Sequence, residues 1–438
     1  MERMRDGFEA IAQRVFGSLT GDEVALCTFA GEDSTFVRFN RSRIRQAGDV
    51  VQQYVNVRLV DGARHASETL TVGSEDDVAR IDAAVAGLRA RLRDVPDDPH
   101  LLLPTAVQST ESVDTNRLPD PFHAIAPLVD GARDRVGLWA SGGLARGFAS
   151  STGQRNWFAR HSFSLDWCDV HAGDKAVKTS IAGFDFDPAE LALKDTQARA
   201  AAAALARPVK KLDPGGYRAW LTPSAVEEIA GLIAGAFSES SVRTASSPWL
   251  KLSRGERSLH PGVAFTENTL AGAAPPFQDD GFLRPDRVDL VRGGAWAGTL
   301  VSPRSAREWG LSTNGAAESE TALSLEIGGG DLPMDQALAA LGAGVWVSNL
   351  WYLNWSDRAA ARVTGMTRFA TFWVEGGEIA QPIEVMRFDD SLYDLFGDRL
   401  EALSAERETV LSNDTYGERK AESRLVPGAL LKELRFTL

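Results

Sequence analysis

The sequence predicts an α+β chain of two domains: an N-terminal antiparallel sheet covered by helices, then a C-terminal β-rich antiparallel domain with few helices. Three observations carry that expectation. Apolar and polar residues alternate in run after run, as in "YVNVRLV" and "RVDLV", which is the period of a half-buried strand. Turn pairs sit between such runs at Asp61-Gly62, Gly293-Gly294 and Gly376-Gly377. The 438 residues exceed the roughly 250–300 that a single core usually spans.

The first element is a helix, because Phe8, Ile11, Ala12, Val15 and Phe16 recur at helical spacing within "MERMRDGFEAIAQRVFGSL". Strand-like runs follow: "EVALCTFA", "STFVRFNRSRIRQ", "DVVQQYVNVRLV" and "ARHASETLTV". Ser74 with Asp77 then opens a second helix as a capping box, with Val78, Ile81, Val85, Leu88 and Leu92 as its apolar stripe. Residues 95–121 are rich in proline and polar residues and read as a connector. A second β-rich stretch runs from Val136 to about Ile181, followed by an alanine-rich helix in "PAELALKDTQARAAAALARP". The hinge-like "VKKLDPGG" sets the boundary, so the expected domains are 1–210 and 211–438.

Composition narrows the function. A formal charge of −13, from 60 acidic and 47 basic side chains, argues against nucleic-acid binding, which needs a basic face. There is no run of about 18 apolar residues to cross a membrane. The mixed charges and helical spacing of the N-terminus are not those of a signal peptide. Two cysteines, Cys27 and Cys168, make neither a disulfide framework nor a Cys-rich zinc site, and a reduced cytoplasmic setting fits best.

No local pattern carries chemistry by itself. The six histidines include no i, i+4 pair for a helical zinc site. In "HSFSLDWCDVH" strand alternation puts His161 and His171 on one face and Cys168 on the other, so that stretch reads as structural. The glycine-rich "GSLTG", "GGLARG" and "IGGGD" lack the lysine of a phosphate loop and read as turns. The acid pairs Asp279-Asp280 and Asp389-Asp390 diverge on an extended chain and are expected to flank turns.

"TPSAVEEIAGLIAGAF", residues 222–237, is the most informative stretch. Ser224 and Glu227 form an expected capping box after Pro223. Val226, Ile229, Ala230, Ile233 and Phe237 make an apolar stripe, and Gly231 and Gly235 would let a neighbour pack closely. Glu228 is the one acid left over, and the helix reads as a buried structural element rather than a catalytic one.

Taken together, the order of elements resembles the TldD/PmbA family of peptide-maturation proteins, also called modulators of DNA gyrase. The resemblance covers most of the chain. It is carried by "FVRFNRSRIRQAGDVVQQYVNVRLVDGAR", by "GFASSTGQRNWFARHSFSL", and more strongly by "PPFQDDGFLRPDRVDLVRGGAWAGTLVSPRSAREWGLSTNG" and "GVWVSNLWYLNWSDRAAARVTGMTRFATFWVEGGEIAQPIEVMRFDDSLYDLF". In that family the TldD-like branch holds zinc with H-E-x-x-x-H on a helix and a late cysteine, while the PmbA or TldE-like branch lacks them. The helix at the matching place here, with Glu227, Glu228, Gly231 and Gly235, has no histidine, and no cysteine follows Cys168. The resemblance therefore implies a TldE-like chain with no catalytic or metal-binding residue of its own. It implies zinc only in a TldD-like partner, a heterodimeric metallopeptidase, and an extended peptide as substrate. The alternative is a standalone homodimeric binding or assembly protein, whose interface the eleven tryptophans, among them Trp346, Trp351, Trp355 and Trp373, would supply. For these strand tryptophans core packing is the expectation. A gyrase- or DNA-linked role rests on the family's older name alone and is opposed by the charge.

Overall fold

The structure, a computed structural model, describes residues 1–129, 134–172 and 175–437. Among them the α+β architecture is present as two sheets. The first has seven strands: β1 (Val24–Asn40), β2 (Arg43–Asp61), β3 (Arg64–Thr71), β4 (Thr110–Val113), β5 (Arg135–Ser150), β6 (Arg155–Ala172) and β7 (Lys175–Gly183). Their order is β3-β2-β1-β5-β6-β4, with β7 also on β6. The two β-rich stretches read separately in the sequence are thus one sheet, joined where β1 pairs β5 from Leu26↔Ser150 to Asn40↔Val136. The connector expected at 95–121 is not all loop: β4 lies in it and pairs β6 in parallel. Its backbone donors and acceptors find partners on the sheet edge, which composition does not reveal.

One face of this sheet is covered by α1 (Glu2–Gly17) and α2 (Asp77–Arg91). Met4, Phe8, Ala12 and Val15 of α1 and Ile81, Val85 and Leu88 of α2 bury against Cys27, Phe29, Val55, Val57 and Leu59. Val78, expected in the α2 stripe, is 58% exposed, because the helix starts only one residue earlier and its first turn overhangs the sheet. Burial pushes the Cys27 thiol up to about 12, so it is unreactive in the folded chain. The other face packs α3 (Pro121–Ile125) and α4 (Pro188–Leu205) over Trp139, Phe163, Leu165 and Trp167.

The second sheet has thirteen strands among the described residues. They are β8 (Gly215–Leu221), β9 (Phe265–Asn268), β10 (Arg287–Arg292), β11 (Ala295–Trp296), β12 (Ser324–Ile327), β13 (Gly344–Val347), β14 (Trp351–Asp357), β15 (Arg362–Met366), β16 (Thr371–Glu375), β17 (Glu378–Pro382), β18 (Arg387–Ser391), β19 (Leu400–Leu411) and β20 (Ser423–Phe436). The long β20 is its spine and pairs with β8, β12, β18 and β19. Most pairs are antiparallel as expected, but β12 with β20 and β13 with β8 are parallel. The expected hairpins form at Gly293-Gly294 and Gly376-Gly377, where φ is +57°, +75°, +61° and +78°, a region glycine enters without a Cβ clash. Asp389 and Asp390 do not flank a turn. They sit inside β18, where Asp389 meets Arg362 and Asp390 meets Arg399 at 2.8 Å. The strand tryptophans are core elements in part: Trp355 and Trp373 pack on the core and Trp346 lies 5.9 Å from Trp220, but Trp351 is 37% exposed.

Side chains far apart in sequence join the two sheets. Arg58 pairs with Asp280, and the Gln154 amide donates to the Gly281 carbonyl at 2.6 Å. Phe148 and Phe158 pack on Phe277. Arg304 donates to Asp98 at 2.8 Å. Burial alone would raise the Asp98 carboxyl, but the His100 amide, the His65 ring and Arg304 outweigh it and hold Asp98 at about 2. A carboxyl held below its ordinary 3.8 stabilises the folded chain fully above that value and loses the contribution as pH falls toward 2. Asp98→Asn is therefore expected to lower stability by about 1 kcal/mol at pH 7. The difference from the parent should shrink steadily from pH 4 to pH 2, which urea unfolding across pH 2–7 will show.

Candidate functional site

A cavity of about 400 Å³ lies between the two sheets. Its roof is α5 (Pro223–Ile233), within the stretch "TPSAVEEIAGLIAGAF". The cap of α5 is Thr222, not Ser224 as the sequence suggested. Proline lacks an N–H and takes the first helical position, so the capping residue must precede it. Thr222 Oγ1 accepts from the Ala225 amide at 3.4 Å and donates to the Ser348 carbonyl at 2.5 Å. Ser224 and Glu227 are thereby freed from the expected capping box. With Glu228 and Gly231 they fall at i, i+3, i+4 and i+7 and line the cavity. The opposite face, Ala225, Val226, Ile229, Ala230 and Ile233, is buried with Ala219 and Leu221 of β8 and Val426 and Ala429 of β20.

The helix expected to be a buried strut has one face in the core, and its other face borders a polar cavity. The close packing expected at its glycines is also absent. A Cβ on Gly231 would meet the Arg424 guanidinium at 3.5 Å, and one on Gly235 would meet only Thr321 Oγ1 at 3.6 Å, both ordinary contacts. Gly235 lies beyond the helix end at Ile233.

The floor comes from the first sheet. The β6–β7 register sets Asp166 opposite Ser180, Cys168 opposite Lys178 and Ser164 opposite Ala182. All but Cys168 line the cavity. The walls are Thr409–Leu411 of β19, Ser412 and Asn413 beyond it, Arg424 of β20, and Asn349 and Leu353. Glu227 pairs with Arg424 at 2.6 Å, and Lys178 lies 4.0 Å from Glu228. Burial raises the Asp166 carboxyl, Lys178 opposing and the charge of Glu227 reinforcing. Burial and then Glu227 also raise Glu228, against Lys178 and Arg424.

Of the residues singled out in the sequence, the cavity gathers Glu227, Glu228 and Gly231 and leaves Gly235 out. It adds Asp166, Lys178, Asn349 and Arg424, which sequence reasoning missed. Asp166 had a legible signal: Ser164, Asp166 and Cys168 alternate with the buried Phe163, Leu165 and Trp167, so they mark a polar face. Asn349 and Arg424 had none.

The donors around α5 do not fit zinc. Among the described residues no group of three or more His, Cys, Asp or Glu side chains is placed to hold a metal ion. Glu227 is paired with Arg424, Lys178 stands 4.0 Å from Glu228, and α5 offers neither imidazole nor thiolate. His161 and Asp114 pair at 2.9 Å in the first sheet, and both cysteines are free thiols. No helix among the described residues is long and apolar enough to cross a membrane.

Comparison with known proteins agrees with this architecture. Residues 214–438 match the profile of the PmbA/TldA metallopeptidase C-terminal domain. The metalloprotease PmbA of Escherichia coli O157:H7 is 30% identical over 126 residues, which is 28% of this chain and 26% of that relative. The fold of TldE from Thermococcus kodakarensis superimposes with a TM-score of 0.76 at 13% identity, covering 99% of this chain and 100% of the other. A candidate modulator of a DNA gyrase from Thermotoga maritima MSB8 does so with a TM-score of 0.74 at 12% identity, covering 100% of both chains. These two likenesses are of fold, whereas the domain match covers the entire second sheet with α5: the chain belongs to the metallopeptidase-related PmbA/TldD family.

Proposed function

We propose that this chain is a TldE-like, non-catalytic subunit of a zinc metallopeptidase that processes or degrades peptides. It shapes part of the substrate cavity and supports a TldD-like partner that carries the metal. One observation carries the reading: α5 turns a polar face to a cavity between the sheets, yet that face offers two glutamates and no histidine or thiol. By the family resemblance this helix stands where relatives hold zinc, and here it lacks histidine and thiol ligands. Peptide maturation as the role, a cytoplasmic setting and no nucleic-acid contact belong to the same reading. The two free thiols support the setting and the charge of −13 the lack of nucleic-acid contact, while peptide maturation rests on the family resemblance.

The test is a pull-down from the native cell, with metal analysis of the complex and of the isolated chain. The expected result is a partner bearing H-E-x-x-x-H, about one zinc per complex and none retained by this chain alone. Stoichiometric zinc and peptide cleavage by the isolated chain would sink the proposal.

The second reading is a homodimeric binding or assembly protein without proteolysis. It is favoured by β14, which among the described residues pairs only with β15 and leaves Trp351 37% and Tyr352 70% exposed at a sheet edge. Sedimentation of the chain alone and with a TldD-like chain separates the two. A self-dimer that persists when the second chain is added favours the homodimer.

A further inference from the structure

The cavity roofed by α5 holds more acid than base. Among the described residues, Asp166, Glu227 and Glu228 line it with only Lys178 and Arg424 as cations. Arg424 is committed to Glu227 at 2.6 Å, while Lys178 stands off from Glu228 at 4.0 Å. A third acceptor belongs to the same lining: Asn349 borders the cavity, is 4% exposed, and its buried Oδ1 has no hydrogen-bond partner among the described residues. A buried polar atom without a partner is uncommon in a folded protein and calls for an explanation.

We propose that this cavity binds a primary ammonium group, held by the carboxylates of Asp166 and Glu228 and by Asn349 Oδ1. An ammonium carries three N–H donors and no acceptor, so it meets three acceptors without leaving a lone pair opposed to another. All three bonds are charge-assisted because the donor is ionised, two of them also meet a carboxylate, and burial strengthens them. An anion is disfavoured, since both resident cations already face glutamates and the free oxygen of Asn349 would repel it. The raised Asp166 and Glu228 carboxyls fit an interior short of positive charge, which the ligand supplies. The volume of about 400 Å³ admits more than the ammonium itself and lies in the roughly 300–1,000 Å³ range of ligand pockets. The group can belong to a small free amine or to the amino end of a short peptide. The inference needs only this chain's residues, so it stands or falls separately from the existence of a zinc-bearing partner.

The test is calorimetric titration of the isolated full chain at pH 7.5 with butylamine, trialanine amide and N-acetyl-trialanine amide. Saturable binding of either free amine with none of the acetylated peptide is expected. Binding of both free amines assigns the site to the ammonium alone, and binding of trialanine amide only assigns it to a peptide end. Failure of both, or equal binding of the acetylated form, overturns the proposal. Glu228→Gln and Asn349→Leu should each weaken binding about tenfold, with melting temperatures confirming folded protein. Lys178→Met removes the competing cation and should tighten binding several-fold, a change of sign that a merely structural role would not produce. Equal weakening in all three variants would refute the assignment.

Discussion

Arg135→Ala is expected to destabilise the chain by about 3–5 kcal/mol, the largest single effect foreseen here. Arg135 has no exposed side-chain surface. Its Nε donates to Asp169 at 2.7 Å, and its other arm pairs with Asp195. The first contact follows from the register, since Arg135 of β5 lies opposite Asp169 of β6. The second ties α4 to the sheet. Truncation leaves Asp169 in the interior without this guanidinium and removes one of Asp195's cations, the i+4 partner Arg199 remaining at 2.6 Å. Desolvated carboxylates that lose their cation carry most of the cost. The damage should reach the cavity, because β6 and β7, which α4 covers, carry Asp166 and Lys178. Guanidinium unfolding of the parent and variant measures the loss. A change below about 1 kcal/mol would show that the buried cluster is solvated or rearranges freely.

Arg419→Ala should cost about 2–4 kcal/mol and free the segment between β19 and β20 from the first sheet. Arg419 comes from the second domain and is 5% exposed. Its guanidinium donates to the Ser162 carbonyl at 2.9 Å, to Ser162 Oγ at 2.8 Å, and to Ser34 Oγ and the Gly142 carbonyl at 3.3 Å. Gly142 has φ +141°, and a Cβ there would lie 2.1 Å from the Asp33 carbonyl, so only glycine lets β1 and β5 approach beneath the arginine. Burial pulls the Arg419 guanidinium down to about 10, against the charge of Glu32. The variant leaves buried Glu32 without that charge, so its cost exceeds the loss of the four charge-assisted bonds to neutral acceptors. Arg419→Lys should recover only part of the stability, since an ammonium cannot reproduce the planar fork. Limited proteolysis checks the second half of the prediction: cleavage between Ser412 and Glu422 should accelerate in Arg419→Ala. Unchanged cleavage would mean that other contacts, such as Arg146 with Glu418 at 3.3 Å, suffice to hold the segment.

Legibility in the sequence tracked the range of the interaction. The first two helices, the hairpin glycines and the alternating strands were read from neighbours two to four residues apart, and they are present. Errors arose where a local pattern had a competing explanation. Ser224 and Glu227 fit a capping box, but Pro223 moves the cap to Thr222, and Arg424, distant in sequence, takes Glu227. The polar tract at 95–121 looked like a connector until its residues 110–113 met an open strand edge. Asp389 and Asp390 looked like turn acids, but each has an arginine across the sheet or beyond it.

By itself the sequence determined the α+β class, the order of the elements and the absence of histidine and cysteine from the helix at 222–237. Those depend on residue identity and short-range periodicity, which the chain states directly. Only the tertiary structure decided that Asp166, Lys178, Glu228, Asn349 and Arg424 share one cavity, and that one face of α5 borders it. The strand registers and the docking of one sheet on the other bring these residues together. Each such contact closes a long loop and gains its energy only when many others form with it, so no short stretch of sequence records it.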